Sequence, residues 1–108
     1  MKNADDHGMV KHNAEASRYE YAFPGVPELA VVEYVLEPDP SNDRGRTKMI
    51  FTHTYVPVEM RGTGVAEKLV RAALADARSH GRHVVAACSY VAKFMERHEA
   101  EFGDLLVR

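Results

Sequence analysis

The chain has a single cysteine, Cys88, so no intrachain disulfide can form and its chemistry fits a reducing cytoplasm. It lacks any apolar run of about 18 residues, which excludes a membrane-spanning helix. The opening MKNADDHGMVKHN lacks the apolar centre of a signal peptide. Charge of one sign is not in excess either. At a net −2, nothing points to a protein that grips nucleic acid through its phosphates. No set of His, Cys, Asp and Glu has metal-ligand spacing, so no metal is expected. Repeats and low-complexity tracts are missing too. What is present is a 108-residue chain with 45% apolar and 28% charged residues. That is the balance of a globular domain able to bury a core without staples. Residues 1–10 read as a flexible polar tail and residues 11–108 as one domain, expected to be a monomer.

The apolar pattern orders the elements. In RYEYAFPG, Tyr19, Tyr21 and Phe23 alternate with Arg18, Glu20 and Ala22, the period of a strand, and Pro24-Gly25 turns the chain. Leu29 to Glu37 is a second strand and Thr47 to Pro57 a third, joined by the polar loop Pro38 to Arg46. From Gly64 to Ser79, Val65, Ala66, Leu69, Val70, Ala73, Leu74 and Ala77 form one helical stripe, with Gly81 as the stop. Arg82 to Cys88 is a small, apolar run that predicts a strand buried on both faces. Tyr90 to His98 predicts a shorter helix. The end, EFGDLLVR, either adds a short strand or docks through Leu105, Leu106 and Val107. The order βββαβα contains a right-handed β–α–β crossover, and such units place ligands at the carboxyl ends of their strands. Val56-Pro57 and Cys88 both lie at such ends.

One stretch carries a chemical signal. In VPVEMRGTGVAEKLV, a strand ends and Arg61-Gly62-Thr63-Gly64 leads directly into a helix. A helix N-terminus offers unpaired amides and partial positive charge, glycine lets backbone approach an anion, and Arg61 adds a planar cation. A plain strand–helix turn is the simpler reading of two glycines. Two phosphate motifs fail: there is no Gly-Lys for a P-loop, and Glu67 stands where the dinucleotide fingerprint needs its last glycine.

Arg61-Gly62-Thr63-Gly64-Val65-Ala66 resembles the Gln/Arg-x-x-Gly-x-Gly/Ala signature of the GNAT superfamily, the acyl-CoA-dependent N-acetyltransferases. HTYVP (His53 to Pro57), CSYV (Cys88 to Val91) and Arg97-His98 extend the likeness to a small single-domain branch typified by N-acetyltransferase domain-containing protein 1. The resemblance runs from about Val10 to the end. It implies an α+β domain, a truncated GNAT fold with a mostly antiparallel sheet, a splayed parallel pair and two helices. It also implies an acetyl-CoA or CoA ligand with its pyrophosphate on Arg61 to Ala66 and its pantetheine along Tyr55 and Val56. The acyl acceptor is an amine of undefined kind, possibly on a protein. Only Pro24 to Glu28 separates the first two predicted strands, so the acceptor side is expected to be open.

Acyl transfer needs a free amine, a polarised carbonyl and a proton for the departing thiolate. The backbone near Val56 can polarise the carbonyl. Tyr90 is a candidate proton donor or an aromatic packed on the sheet. Cys88 is a candidate acyl carrier, as the resemblance also implies, or a small buried side chain. His53 is a candidate base or a tie between strands, and it shares a face with Tyr55, opposite Thr54 and Val56. His80 and His83 are expected to be solvated, and Lys93 is either a phosphate contact or a surface lysine. The competing readings are a catalytically silent acyl-CoA-binding module and an interaction domain using an open sheet face.

Overall fold

The computed structural model describes residues 10–40 and 47–107. The expected tail up to residue 9 and the loop at 41–46 lie outside the described residues. Five strands form one sheet in chain order: β1 (Val10–Asn13), β2 (Arg18–Tyr21), β3 (Ala30–Pro38), β4 (Thr47–Tyr55) and β5 (His83–Ala86). β1 to β4 form an antiparallel meander, and β5 runs parallel to β4. The crossover between β4 and β5 is α1 (Val65–Ser79). Next along the chain are α2 (Ser89–Arg97), a single turn α3 (Glu99–Phe102) and a 3-10 turn Gly103–Leu105. This is the expected α+β architecture.

Pleating sorts each strand into two faces. Tyr19, Tyr21, Ala30, Val32, Tyr34, Met49, Phe51 and Val84 point inward, where they join one core with Leu69, Val70, Ala73, Leu74 and Ala77 of α1 and Val91, Phe94 and Met95 of α2. Burying each large side chain contributes about 1.5–3 kcal/mol. α1 ends as its sequence directs. Gly81 adopts φ 67°, and the Gly81 and Arg82 amides donate to the carbonyls of Arg78 and Ala77, a Schellman closure. The C-terminal turns dock Phe102 and Leu105 on the core, and Leu106 makes a lone parallel bridge to Val84. The end of the chain thus docks and adds no full strand.

Three expectations change. Val10–Asn13 is a strand, held by Asn13 donating to Glu20 at 2.9 Å and by His12 bonded to the Tyr34 hydroxyl at 2.6 Å. β5 is not buried on both faces. Only Val84 is fully buried, because all the helices pack on the inner face and β5 is an edge. His83 and His80 are engaged at least in part: His83 Nδ1 lies 2.6 Å from Asp39, and His80 Nδ1 lies 2.8 Å from the Asp76 carbonyl.

A bulge in β4 sets which way the end of the strand faces. Glu33 pairs with His53 but Tyr34 pairs with Phe51, which leaves Thr52 as an extra residue. Its hydroxyl donates to the Glu33 carbonyl at 3.3 Å. The extra residue reverses the alternation, so Phe51 and Thr54 face inward while His53 and Tyr55 face outward.

Candidate functional site

The last rung between β4 and β5 is the Cys88 amide donating to the Phe51 carbonyl at 2.9 Å. Beyond it β4 continues to Tyr55 while β5 has ended, so the strands part. The gap opens into a cleft of about 460 Å³ lined by Thr54, Tyr55, Val56, Met60, Arg61, Gly62, Gly64, Val65, Ala66, Glu67 and Tyr90.

The floor of the cleft is the turn between β4 and α1. Pro57 starts a 3-10 turn, Val58–Met60, which buries Met60 as an anchor. The Thr63 hydroxyl donates to the Met60 carbonyl, and the Thr63 amide does the same at 3.2 Å. Gly62 and Gly64 stand at φ 81° and 86°, a region costly for other residues, and a Cβ on either would meet open space. The first intrahelical bond of α1 is Lys68 to Gly64, and the cap supplies no side-chain acceptor. Thus the amides of Val65, Ala66 and Glu67 end at the cleft without a backbone acceptor.

The charges favour an anion at this point. Arg61 Nε donates to the Val56 carbonyl at 2.9 Å, which lays the guanidinium along the cleft and leaves its terminal N–H groups for a ligand. Glu67 also lines the cleft, but its charge is engaged by Arg71 Nε at 2.9 Å. Together the helix dipole, three amides and Arg61 can hold an anionic group, while the parted strands can hold an extended chain beside it.

Tyr90 closes the far wall. Burial raises its phenol above the ordinary range, Arg97 opposes that less strongly, and Glu67 adds to it. The phenol therefore keeps its proton at neutral pH. Cys88 caps α2 and stands one residue behind the lining. Its Sγ lies 3.3 Å from the Thr54 hydroxyl. Burial pushes the thiol up, but Thr54 and the amides of Tyr90, Val91 and Thr54 outweigh it, and the net shift is downward. The thiol faces those α2 amides without closing a full cap bond.

The structure thus gathers Tyr55, Val56, Arg61, Gly62, Gly64, Val65, Ala66 and Tyr90 around one space. Thr63 braces the turn from outside the lining. His53 lies on the opposite face of β4 from Cys88, across from Glu33, and Thr54 is the residue that reaches the thiol. Lys93 is exposed and away from the lining. Sequence reasoning took the stretch from Met60 to Ala66 as the anion seat, and it missed Thr54 and Glu67 as lining residues. The helical period placed Glu67 at the start of α1 and could have found it. Thr54 depends on the bulge, which leaves no local signal.

Among the described residues no helix is long and apolar enough to cross a membrane, and no group of three potential ligands could hold a metal ion. A protein-family model described as GCN5-related N-acetyl-transferase matches residues 18–105, from the start of β2 to the last 3-10 turn.

Proposed function

Because the chain belongs to the GCN5-related N-acetyltransferase family, we propose that it binds acetyl-CoA in the cleft and transfers the acetyl group directly to an amine. The carrying observation is the conjunction of the parted strands with the unpaired amides of Val65, Ala66 and Glu67. The fit of the residues to CoA is chemical. The diphosphate needs donors that approach closely, and Gly62 and Gly64 leave that space empty. In this reading Arg61, Gly62, Gly64, Val65 and Ala66 hold the diphosphate, Thr63 braces the turn, and Tyr55 and Val56 flank the pantetheine arm.

Acetyl-CoA, when bound, would supply the activated thioester carbonyl and leave as the CoA thiol. The Val56 backbone at the splay polarises that carbonyl, and Tyr90, which stays protonated, donates to the departing thiolate. His53, on the outer face beside Glu33, is available to take the proton that the amine must lose. Cys88 is not in the lining, which supports direct transfer over a thioester on the protein. The connection between β2 and β3 contains no helix, so an amine on a protein surface can approach over the outer face.

A second reading rests on a specific observation. Within the cleft Glu67 is tied to Arg71 and Tyr90 holds its proton, so the lining contains no ready base. A module that binds acyl-CoA without turnover fits that arrangement. An acceptor screen with labelled acetyl-CoA, run beside calorimetry with acetyl-CoA and CoA, decides between them. Binding with label on an amine supports transfer. Binding with no labelled acceptor supports the second reading, and no binding at millimolar ligand removes both.

A further inference from the structure

We propose that Glu28 selects the acceptor by charge, favouring the protonated side-chain amine of a lysine on an extended polypeptide. This rests on the acyl-transfer reading above and names the acceptor of that same site. β4 divides the site into two sides. Thr54 turns inward to Cys88, and Tyr90 lines that wall of the cleft. Tyr55, paired with Val31 on the outer face, also lines the cleft, and its hydroxyl donates to Glu28 Oε1 at 3.0 Å. A carboxylate therefore stands one hydrogen bond from the cleft lining, on the outer side of the strand.

Glu20 and Glu67 are tied to arginines, whereas Glu28 and Glu59, both near Tyr55, carry no ion pair among the described residues, and of these two Glu28 is the one that Tyr55 holds. Glu20 accepts from Arg18 at 2.7 Å and from Asn13, and Glu67 is bonded to Arg71. Glu33 has Arg18 as its cross-strand neighbour on β2 and His53 on β4. Among the described residues no cation stands at ion-pair distance from Glu28, whose hydrogen-bond partner is the neutral Tyr55. The Tyr55 hydroxyl therefore holds the carboxylate in place beside the cleft. The same contact raises the Tyr55 hydroxyl above its ordinary range. An exposed, oriented and uncompensated carboxylate at a site mouth is a seat for an ammonium.

The surroundings favour an acceptor that brings its own scaffold. Residues 22–29 join β2 to β3 as turns without a helix, so nothing there encloses a small amine. A polypeptide lying on the outer face can place one lysine at Glu28 while its backbone stays outside. An aryl amine carries no charge at neutral pH and gains nothing from Glu28.

The test compares two acceptor peptides of one sequence, one with lysine and one with para-aminophenylalanine at the acetylated position. Acetylation kinetics are measured for the wild type, Glu28→Gln and Tyr55→Phe, with CoA affinity by calorimetry on each protein. Binding of the lysine peptide to the CoA-loaded protein is measured separately. The expected result is a KM for the lysine peptide raised about tenfold by Glu28→Gln with kcat within about twofold. The KM ratio between the peptides should collapse, and Tyr55→Phe should give a smaller change in the same direction. Equal KM shifts for both peptides, or a loss in kcat alone, overturn the assignment. If the wild type binds CoA but acetylates neither peptide, the transfer reading fails. The binding arm then still decides on Glu28: a tenfold weaker lysine peptide with the variant supports it, and no change overturns it.

Discussion

At the C-terminal end of α1, Asp76 accepts the Tyr19 hydroxyl at 2.6 Å, His12 stacks on the Tyr19 ring at 4.2 Å, and His12 Nε2 meets the Tyr34 hydroxyl at 2.6 Å. At the N-terminal end of the same helix, the amides of Val65, Ala66 and Glu67 face an open cleft, and two glycines keep it open. Both ends are rich in polar groups and both pin α1 to the sheet. They differ in where the hydrogen-bonding capacity goes. One end satisfies its groups internally and locks β1, β2 and β3 to the helix. The other leaves donors over, and its turn requires glycine at two positive-φ positions. Leftover capacity on a rigid frame is what the proposed ligand site has and the closed end lacks.

If that difference is real, damage at the open end should cost binding and leave the fold nearly intact. Gly64→Val puts a branched side chain into the cleft and onto a positive φ. The strain costs about 1–3 kcal/mol of stability. Loss of two charge-assisted hydrogen bonds, about 2 kcal/mol each, predicts CoA binding weakened about 1,000-fold. Calorimetry on the folded variant, with circular dichroism as the check, reads both. Wild-type affinity would make the glycine a turn residue and nothing more.

Tyr90→Phe tests the same end one step later. It keeps the ring in the cleft wall and removes the proton. The expectation is a kcat lower by about 100-fold with CoA affinity within about twofold. A profile of kcat against pH should also lose its alkaline limb, because burial holds the phenol protonated well past neutrality in the wild type. If kcat survives, the thiolate takes its proton elsewhere.

Asp76→Ala reaches the closed end and should do the reverse. It leaves the Tyr19 hydroxyl, on a buried ring, without its acceptor. The expected cost is about 2 kcal/mol in urea unfolding, with CoA affinity unchanged. Adding Tyr19→Phe removes the orphaned donor and should recover part of the loss. A tenfold fall in CoA affinity would show that the two ends are coupled and that the contrast is too sharp.

The open end was the more legible in the sequence, because its features are local. A strand end, Arg61, two glycines and a helical stripe sit within one short stretch, and Gly81 announces the helix stop by the same kind of signal. The closed end was missed. VKHN has one apolar residue, and its strand exists through contacts to Glu20 and Tyr34, far along the chain. The bulge at Thr52 was equally silent. Alternation carried on from Met49 and Phe51 would bring His53 and Tyr55 inward, and one extra residue sends them out and brings Thr54 to Cys88. Burial of β5 was overestimated because small apolar residues suit a half-covered edge as well as a central strand. Glu28 left no trace, since an exposed acid in a turn is the commonest of features until a tyrosine from another strand is seen to hold it.

Cys88 sits on the boundary of the contrast, and its expected effect is the smallest. Its amide closes the last rung of the zipped sheet, while its thiol points to Thr54, a lining residue of the cleft. A folded pKa below the unfolded one means the thiolate adds stability at pH above the unfolded value. That contribution fades as pH falls through the lowered native value. Alkylation by iodoacetamide should therefore reach its half-maximal rate at a lower pH than a free thiol does, and Thr54→Val, which deletes the hydroxyl partner, should move the midpoint back up. Direct transfer further requires Cys88→Ala to keep acetylation within about threefold of wild type, since the residue lies behind the lining and carries no acyl group. An acetyl adduct on Cys88 in mass spectrometry, together with a kcat loss of about 100-fold in the alanine variant, would move the thiol into the chemistry and make the boundary residue the acyl carrier.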